Sequence, residues 1–389
     1  MDSTIQAAFP TDLLIDTPDG PVPLTPERAG IPLPRGLEYD GPQLTYGPYL
    51  TALARFLLAD SATPLVTALS LHLRRPIAAE SVHRLSIISE KHGAFYQVSH
   101  LRVHLADTNC SLVADTAVRP EQQGVLEREF SILRELRDRF GLPYLPRPYL
   151  LGEAVPEGGP APAQPLKLFI AEWFEGWHEF HLSRTPGSAE PVIRVWDATP
   201  EGTFLDAAQS GALYCRAAHI LTAYLDERSF RQIYPWHHAA GDFIVRMEGN
   251  SPDLRLVTAR DYRCLTSLEP GPGSEWIPLV HFFLNLTLRL RLDRLDGTGD
   301  LAWADAASVS AIVRGFFQAW GEKTIRAPGI PSAGEVLGVL RSFDRGDWLS
   351  LAEPVMEDGL MESGEYPFLS ERIEEHVDRL MEALGEEPA

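Results

Sequence analysis

The chain has 389 residues, 44% hydrophobic and 23% charged, which excludes wholesale disorder and leaves room for two cores of ordinary size. Its 34 Lys and Arg stand against 54 Asp and Glu, a net charge of −20 that repels phosphate backbones and anionic headgroups, so neither nucleic acid nor a membrane surface is expected as a partner. Cys110, Cys215 and Cys264 are too scattered for a disulfide framework or a zinc knuckle, and a cytoplasmic protein is expected.

Residues 1–45, rich in Pro, Gly and Asp without a sustained period, read as an extended N-terminal arm. From 49 to 73 the apolar residues fall mostly at helical spacing, and Thr63-Pro64 divides the stretch into two helices. The segment 84–118 is dense in Ile, Val, Leu, Phe and Tyr. Turn residues at Lys91-His92-Gly93 and Asp107-Thr108-Asn109 punctuate it, which predicts a three-stranded meander. Residues 122–140 return to helical period, with Leu126, Phe130, Leu133, Leu136 and Phe140 on one stripe, and Gly141-Leu142-Pro143 stops the helix. Two more strands are predicted near 147–153 and 166–172. A polar insertion at 184–205 follows, then a helix marked by Leu213, Ala217, Ile220, Leu221 and Tyr224.

The segment 278–292 fits two periods, alternating like a strand and also tracing a helical stripe; its length and early proline favour a helix. Residues 277–292 are also the most apolar of the later chain, but they are short and interrupted by His281, Asn285, Arg289 and Arg291. The N-terminus has no basic segment followed by an apolar core, so neither an export signal nor a membrane span is expected. Apolar stripes at 309–320 and 369–384 predict further helices, the second capped by Gly385.

A small lobe of five strands and one helix followed by a mainly helical lobe resembles the protein-kinase and aminoglycoside-phosphotransferase superfamily. The expectation is an α+β, kinase-like two-lobed fold. It divides as an N-terminal arm and helices over 1–80, a small five-stranded antiparallel sheet lobe over 81–174 and a larger helical lobe over 175–389. In that family a helix Glu pairs with a strand Lys that holds the nucleotide phosphates. The resemblance puts Glu129, in Arg128-Glu129-Phe130-Ser131, at the Glu position. The third strand, Leu112-Val113-Ala114-Asp115-Thr116-Ala117-Val118, has no Lys, and Arg119 is the substitute cation, although a planar guanidinium is not a point charge. Both residues read equally well as solvated surface charges. Glu172-Trp173-Phe174-Glu175-Gly176 resembles the hinge that reads an adenine edge, or else supplies aromatics that only pack.

Tyr234-Pro235-Trp236-His237-His238-Ala239-Ala240-Gly241-Asp242-Phe243 resembles the family's catalytic loop, with Asp242 at the metal-binding Asn and His237 at the catalytic Asp. A carboxylate suits magnesium, and an imidazole with an ordinary pKa of ~6.5 suits general-base work. His237 and His238 also read as structural histidines, or, with Asp242, as ligands of a transition metal. Asp261, in Ala259-Arg260-Asp261-Tyr262-Arg263, matches the second metal carboxylate, with Arg260 alongside as a neutralising ion-pair partner. Only Gly93 marks a phosphate loop. Two readings follow from the resemblance. One is a phosphotransferase using ATP and Mg2+ on a small-molecule or protein substrate, with His237 or His238 near the acceptor. The other is a pseudokinase serving as a binding or regulatory scaffold.

Overall fold

The computed structural model describes residues 9–34, 43–90, 95–157, 164–185, 190–197, 199, 201–236, 241–266, 276–326, 330–358 and 364–388. The fold is mixed α+β, and the chain divides into two compact units, Met1–Glu175 and Gly176–Ala389.

The first unit contains β1 (Thr11–Ile15), β2 (Val22–Pro23), α1 (Pro26–Ala29), α2 (Tyr46–Leu73), β3 (Val82–Ser89), β4 (Gln97–Leu105), β5 (Asn109–Ala117), α3 (Pro120–Phe140), β6 (Pro148–Ala154) and β7 (Leu166–Glu172). The expected five-stranded antiparallel sheet is in fact seven-stranded, in the order β2-β1-β3-β4-β5-β7-β6. The added strands come from the segment expected as an extended N-terminal arm. β1 pairs parallel with β3, Leu13 opposite Ile87, and β2 folds back antiparallel onto β1. A parallel partner some seventy residues along the chain leaves no local hairpin signal, which hides this strand from a reading of neighbouring residues.

Strand alternation assigns the two faces of this sheet. Leu85, Ile87, Leu101, Val103, Leu112, Ala114, Leu168 and Ile170 share one core with Tyr49, Leu50, Leu53, Leu57, Leu65 and Leu69 of α2. Each fully buried Leu or Ile contributes about 1.5–3 kcal/mol of transfer free energy. The Tyr49 hydroxyl hydrogen-bonds Ser99 Oγ at 2.8 Å and donates to Thr116 Oγ1 at 3.4 Å, and burial pushes its ionisation up to about 12. By length and composition alone α2 is apolar enough to cross a membrane, where no span was expected, although the core helix of a folded unit passes the same test. Its backbone leaves helical geometry at Ala59–Ala62, with Asp60, Ser61 and Ala62 at positive φ, so it is two helices meeting just before Pro64. α3 covers the opposite face, where Phe130 meets Phe169 with ring centroids 6.0 Å apart. Gly141, at φ 63°, ends α3 by donating its N–H to the Arg137 carbonyl.

The second unit contains β8 (His178–Ser183), β9 (Val192–Val195), β10 (Thr203–Phe204), α4 (Ala207–Ala223), β11 (Gln232–Ile233), β12 (Phe243–Glu248), β13 (Ser251–Leu256), β14 (Tyr262–Arg263), α5 (Trp276–Arg289), β15 (Leu292–Arg294), β16 (Leu301–Trp303), α6 (Ala307–Arg326), α7 (Ala333–Ser342), α8 (Arg345–Asp358), α9 (Glu365–Ser370) and α10 (Ile373–Glu386). It is less purely helical than expected. A five-stranded antiparallel sheet, β10-β9-β8-β12-β13, recruits three strands from 178–204, where a polar insertion was expected over 184–205. The ambiguous 278–292 segment forms α5. Gly385 lies in the last turn of α10 rather than capping it.

Candidate functional site

In the first unit the hinge-like segment follows directly from β7. Glu172 is tied to Arg147 twice: its backbone N–H donates to the Arg147 carbonyl at 2.9 Å, and its Oε2 accepts from the Arg147 backbone N–H at 3.4 Å. Trp173, the next residue, lays its indole flat on the imidazole of His100, with ring centroids 4.1 Å apart and planes 10° apart. Phe174 is half-buried beside it in sequence.

The register fixes which face of the sheet this stack occupies. His100 of β4 is opposite Val113 of β5, while Val98 is opposite Asp115, and Asp115 is opposite Phe169 of β7. Cross-strand partners share a face, and Phe169 meets α3. His100, Val113, Asp115 and Trp173 therefore lie on the α3 side, away from the α2 core. Glu129 is 2% exposed on the same stripe of α3 as Leu126, Phe130 and Leu133. Arg119 is the residue before that helix, and its backbone N–H donates to Gln122 Oε1. Ten residues separate Arg119 from Glu129, about 15 Å of helical rise. The residue that β5 offers to this face beside Val113 is Asp115.

In the second unit, two short strands bracket the loop singled out in the sequence. β11 pairs with β14, Gln232 opposite Arg263 and Ile233 opposite Tyr262, and the Tyr234 N–H donates to the Asp261 carbonyl at 3.1 Å. The β12–β13 hairpin begins immediately after Asp242, whose carbonyl accepts the Val257 N–H at 2.8 Å. Tyr234 and Asp242 are thus each tied to the 257–263 segment, and Asp242 lies next to Arg260. The guanidinium holds the carboxylate in a two-pronged pair, Nη2 to Oδ1 at 2.7 Å and Nη1 to Oδ2 at 3.1 Å. Both side chains are buried, 2% and 11% exposed. Arg260 was expected to neutralise its sequence neighbour Asp261, but it turns to Asp242. Asp261 accepts the Tyr262 N–H at 2.8 Å and lies 3.4 Å from Arg263 Nε.

Tyr262 ties this arrangement to α4, donating its hydroxyl to the Tyr224 carbonyl at the end of that helix, with Arg231 over its ring at 4.4 Å. Trp236 and Phe243 meet edge to face at 6.1 Å. Gly241 has φ 73°, a left-handed conformation that glycine adopts without strain. His237, His238 and Gly93 lie outside the described residues. Among the described residues no group of three or more His, Cys, Asp or Glu side chains is placed to hold a metal ion.

His100 and Arg260 are the residues with prominent contacts that the sequence reading did not put in these roles. Neither carries a motif. The signal for His100 lies in strand register combined with a tryptophan seventy-three residues later, and the sequence offers Arg260 as an ion-pair partner of Asp261 rather than of Asp242. No family model matches the chain, and no curated protein matches it in sequence.

Proposed function

We propose that this chain is a kinase-like pseudoenzyme, a binding or regulatory scaffold whose sheet face for a nucleotide base is filled by its own tryptophan. The observation that carries the reading is the stack of Trp173 on buried His100, 4.1 Å between centroids, on the face of the sheet that α3 covers. A flat indole on that face takes the place a purine ring would need. Two further features agree with it. Asp115 stands on the same face, where the resemblance calls for a phosphate-binding Lys, and a carboxylate there repels phosphate. Asp242, the counterpart of a magnesium ligand, is already committed to Arg260 through two charge-assisted hydrogen bonds. The kinase resemblance itself draws support from the run β3-β4-β5-β7-β6 with α3 inserted after β5, and from the loop bracketed by β11 and β14.

One observation favours the phosphotransferase reading. The β11–β14 pair gathers the segments carrying Asp242 and Asp261, the residues that would hold Mg2+ with ATP, with His237 or His238 serving the acceptor. Thermal unfolding with ATP, ADP and GTP, each with and without Mg2+, separates the two. A ligand at a hundred times its Kd stabilises by about 2.7 kcal/mol, which raises the midpoint by several degrees. The scaffold reading expects no magnesium-dependent rise. A rise, together with phosphate transfer abolished in Asp242→Ala, would overturn it in favour of the enzyme.

A further inference from the structure

His100 is 1% exposed in the middle of β4, yet among the described residues neither of its ring nitrogens has a hydrogen-bond partner. An uncharged imidazole has one N–H to donate and one lone pair to fill, so a buried neutral ring leaves both unmade. Two carboxylates flank it. Glu90 Oε1 lies 3.7 Å from Nδ1, and Glu175 Oε2 lies 3.8 Å from Nε2.

Glu90 is anchored through its backbone and Glu175 through its carboxylate. The Glu90 N–H donates to the Val98 carbonyl, and its own carbonyl accepts from Gln97 Nε2. Glu175 Oε2 accepts from Ser111 Oγ at 2.8 Å, on a side chain 69% exposed. Each needs to move by less than an ångström to reach hydrogen-bond distance of a ring N–H. Among the described residues, the same face of the sheet also carries Asp12 of β1, Arg84 of β3, Arg102 and His104 of β4, Asp115 of β5, Glu153 of β6 and Lys167 of β7, and α3 adds Glu129. The β3 partner of His100 is Ile88, which carries no charge.

We propose that His100 is a proton-operated latch on Trp173. With a proton added, both ring nitrogens become donors, one to Glu90 at the end of β3 and one to Glu175 beyond β7, and the imidazolium lies under the indole as a cation–π partner. The segment carrying Trp173 is then clamped to the sheet. With the proton lost, one nitrogen has nothing to donate, a carboxylate faces a lone pair, and the stack loosens. The consequence for a nucleotide face rests on the preceding proposal; the proton linkage does not.

Tryptophan emission tests it, because a protonated imidazole in ring contact quenches indole fluorescence. The difference between wild type and Trp173→Phe isolates the Trp173 signal, read from about pH 8 to about pH 5.5, where imidazoles change charge. The expected result is a loss of Trp173 emission as pH falls, absent from His100→Gln and moved to lower pH in Glu90→Gln/Glu175→Gln. Identical pH profiles for wild type and Trp173→Phe, or quenching that persists in His100→Gln, would overturn the latch. Should His100→Gln not fold, the ring C–H resonances of His100 in the wild-type protein give the answer. They must titrate together with the Trp173 indole resonance, and titration of neither, or of only one, refutes the coupling. A thermal shift with nucleotide bears on the scaffold reading alone, so the two can fail separately.

Discussion

Truncating Arg260 to alanine removes one member of a buried ion pair. The Asp242 carboxylate, 2% exposed, loses contacts of 2.7 and 3.1 Å and cannot regain them from water. A charged hydrogen bond is worth about 1.5–3 kcal/mol net, and breaking a buried pair from one side costs about 3–5 kcal/mol because the remaining charge stays desolvated. The pair ties the loop entering β12 to the loop leaving β13, so that cost falls on the architecture of the candidate site. Urea unfolding followed by circular dichroism measures it. Arg260→Ala is expected to lose about 3–5 kcal/mol, whereas Arg260→Met combined with Asp242→Asn, which leaves no unpaired charge, should lose clearly less than the sum of the two single changes. A loss below about 1 kcal/mol in Arg260→Ala would refute the claim that Asp242 is committed to the guanidinium, and with it one support of the scaffold reading.

Two further predictions concern the second unit. His376 is completely buried, with Nδ1 accepting from Arg291 Nη1 at 3.2 Å and Nε2 facing Thr287 Oγ1 at 3.2 Å. Burial first, then the Arg291 charge, hold its pKa well below the ordinary value. Below ~6.5 the unfolded chain takes up a proton that the folded chain refuses. Stability from this group is therefore complete above that pH and falls as pH drops towards the folded pKa, by up to about 1.4 kcal/mol per unit. Urea midpoints between about pH 7.5 and pH 5 should show a steeper fall for wild type than for His376→Gln, and equal slopes would refute it. Gly315→Ala places a methyl 2.1 Å from the Cys215 carbonyl oxygen and 3.0 Å from Ala218 Cβ, so α4 and α6 must part. The expected cost is about 3 kcal/mol or more, seen as a lowered melting midpoint. Gly321→Ala, with no described atom outside its own helix backbone within 4 Å of the new methyl, should gain up to about 1 kcal/mol, and similar melting points for the two variants would contradict the close packing.

Elements that carry their own period were readable in the chain. The stripe Leu126, Phe130, Leu133 and Leu136 is buried in α3 as its spacing implies, and β7 spans Leu166–Glu172 as expected. The 278–292 ambiguity has a physical origin: α5 is buried nearly all round, with Val280, Phe282, Phe283, Leu284, Leu286 and Leu288 enclosed, so no polar face exposes a helical period. The strands at 11–15 and 178–204 were missed because their partners are distant or their sequences polar, and pairing rather than composition makes them strands.

The candidate site divides along the same line. Asp242 and Asp261 could be named from local motif order, since each sits beside its strand. What those carboxylates do depends on a side chain arriving from across the hairpin, and Arg260 goes to Asp242 although Asp261 is its neighbour in sequence. Adjacent residues on an extended chain point to opposite sides, so a neighbour in sequence is a poor guide to an ion-pair partner. The same argument applies to His100. Nothing in Ser99-His100-Leu101 announces a site, and only the β4–β5 register, the alternation that places Val113 and Asp115 on the α3 face, and the exit of β7 at Trp173 put an imidazole under an indole. The side chains that meet on the α3 face of the first sheet are a histidine of β4, an aspartate of β5 and a tryptophan just past β7, a grouping made by strand register that their order along the chain does not display.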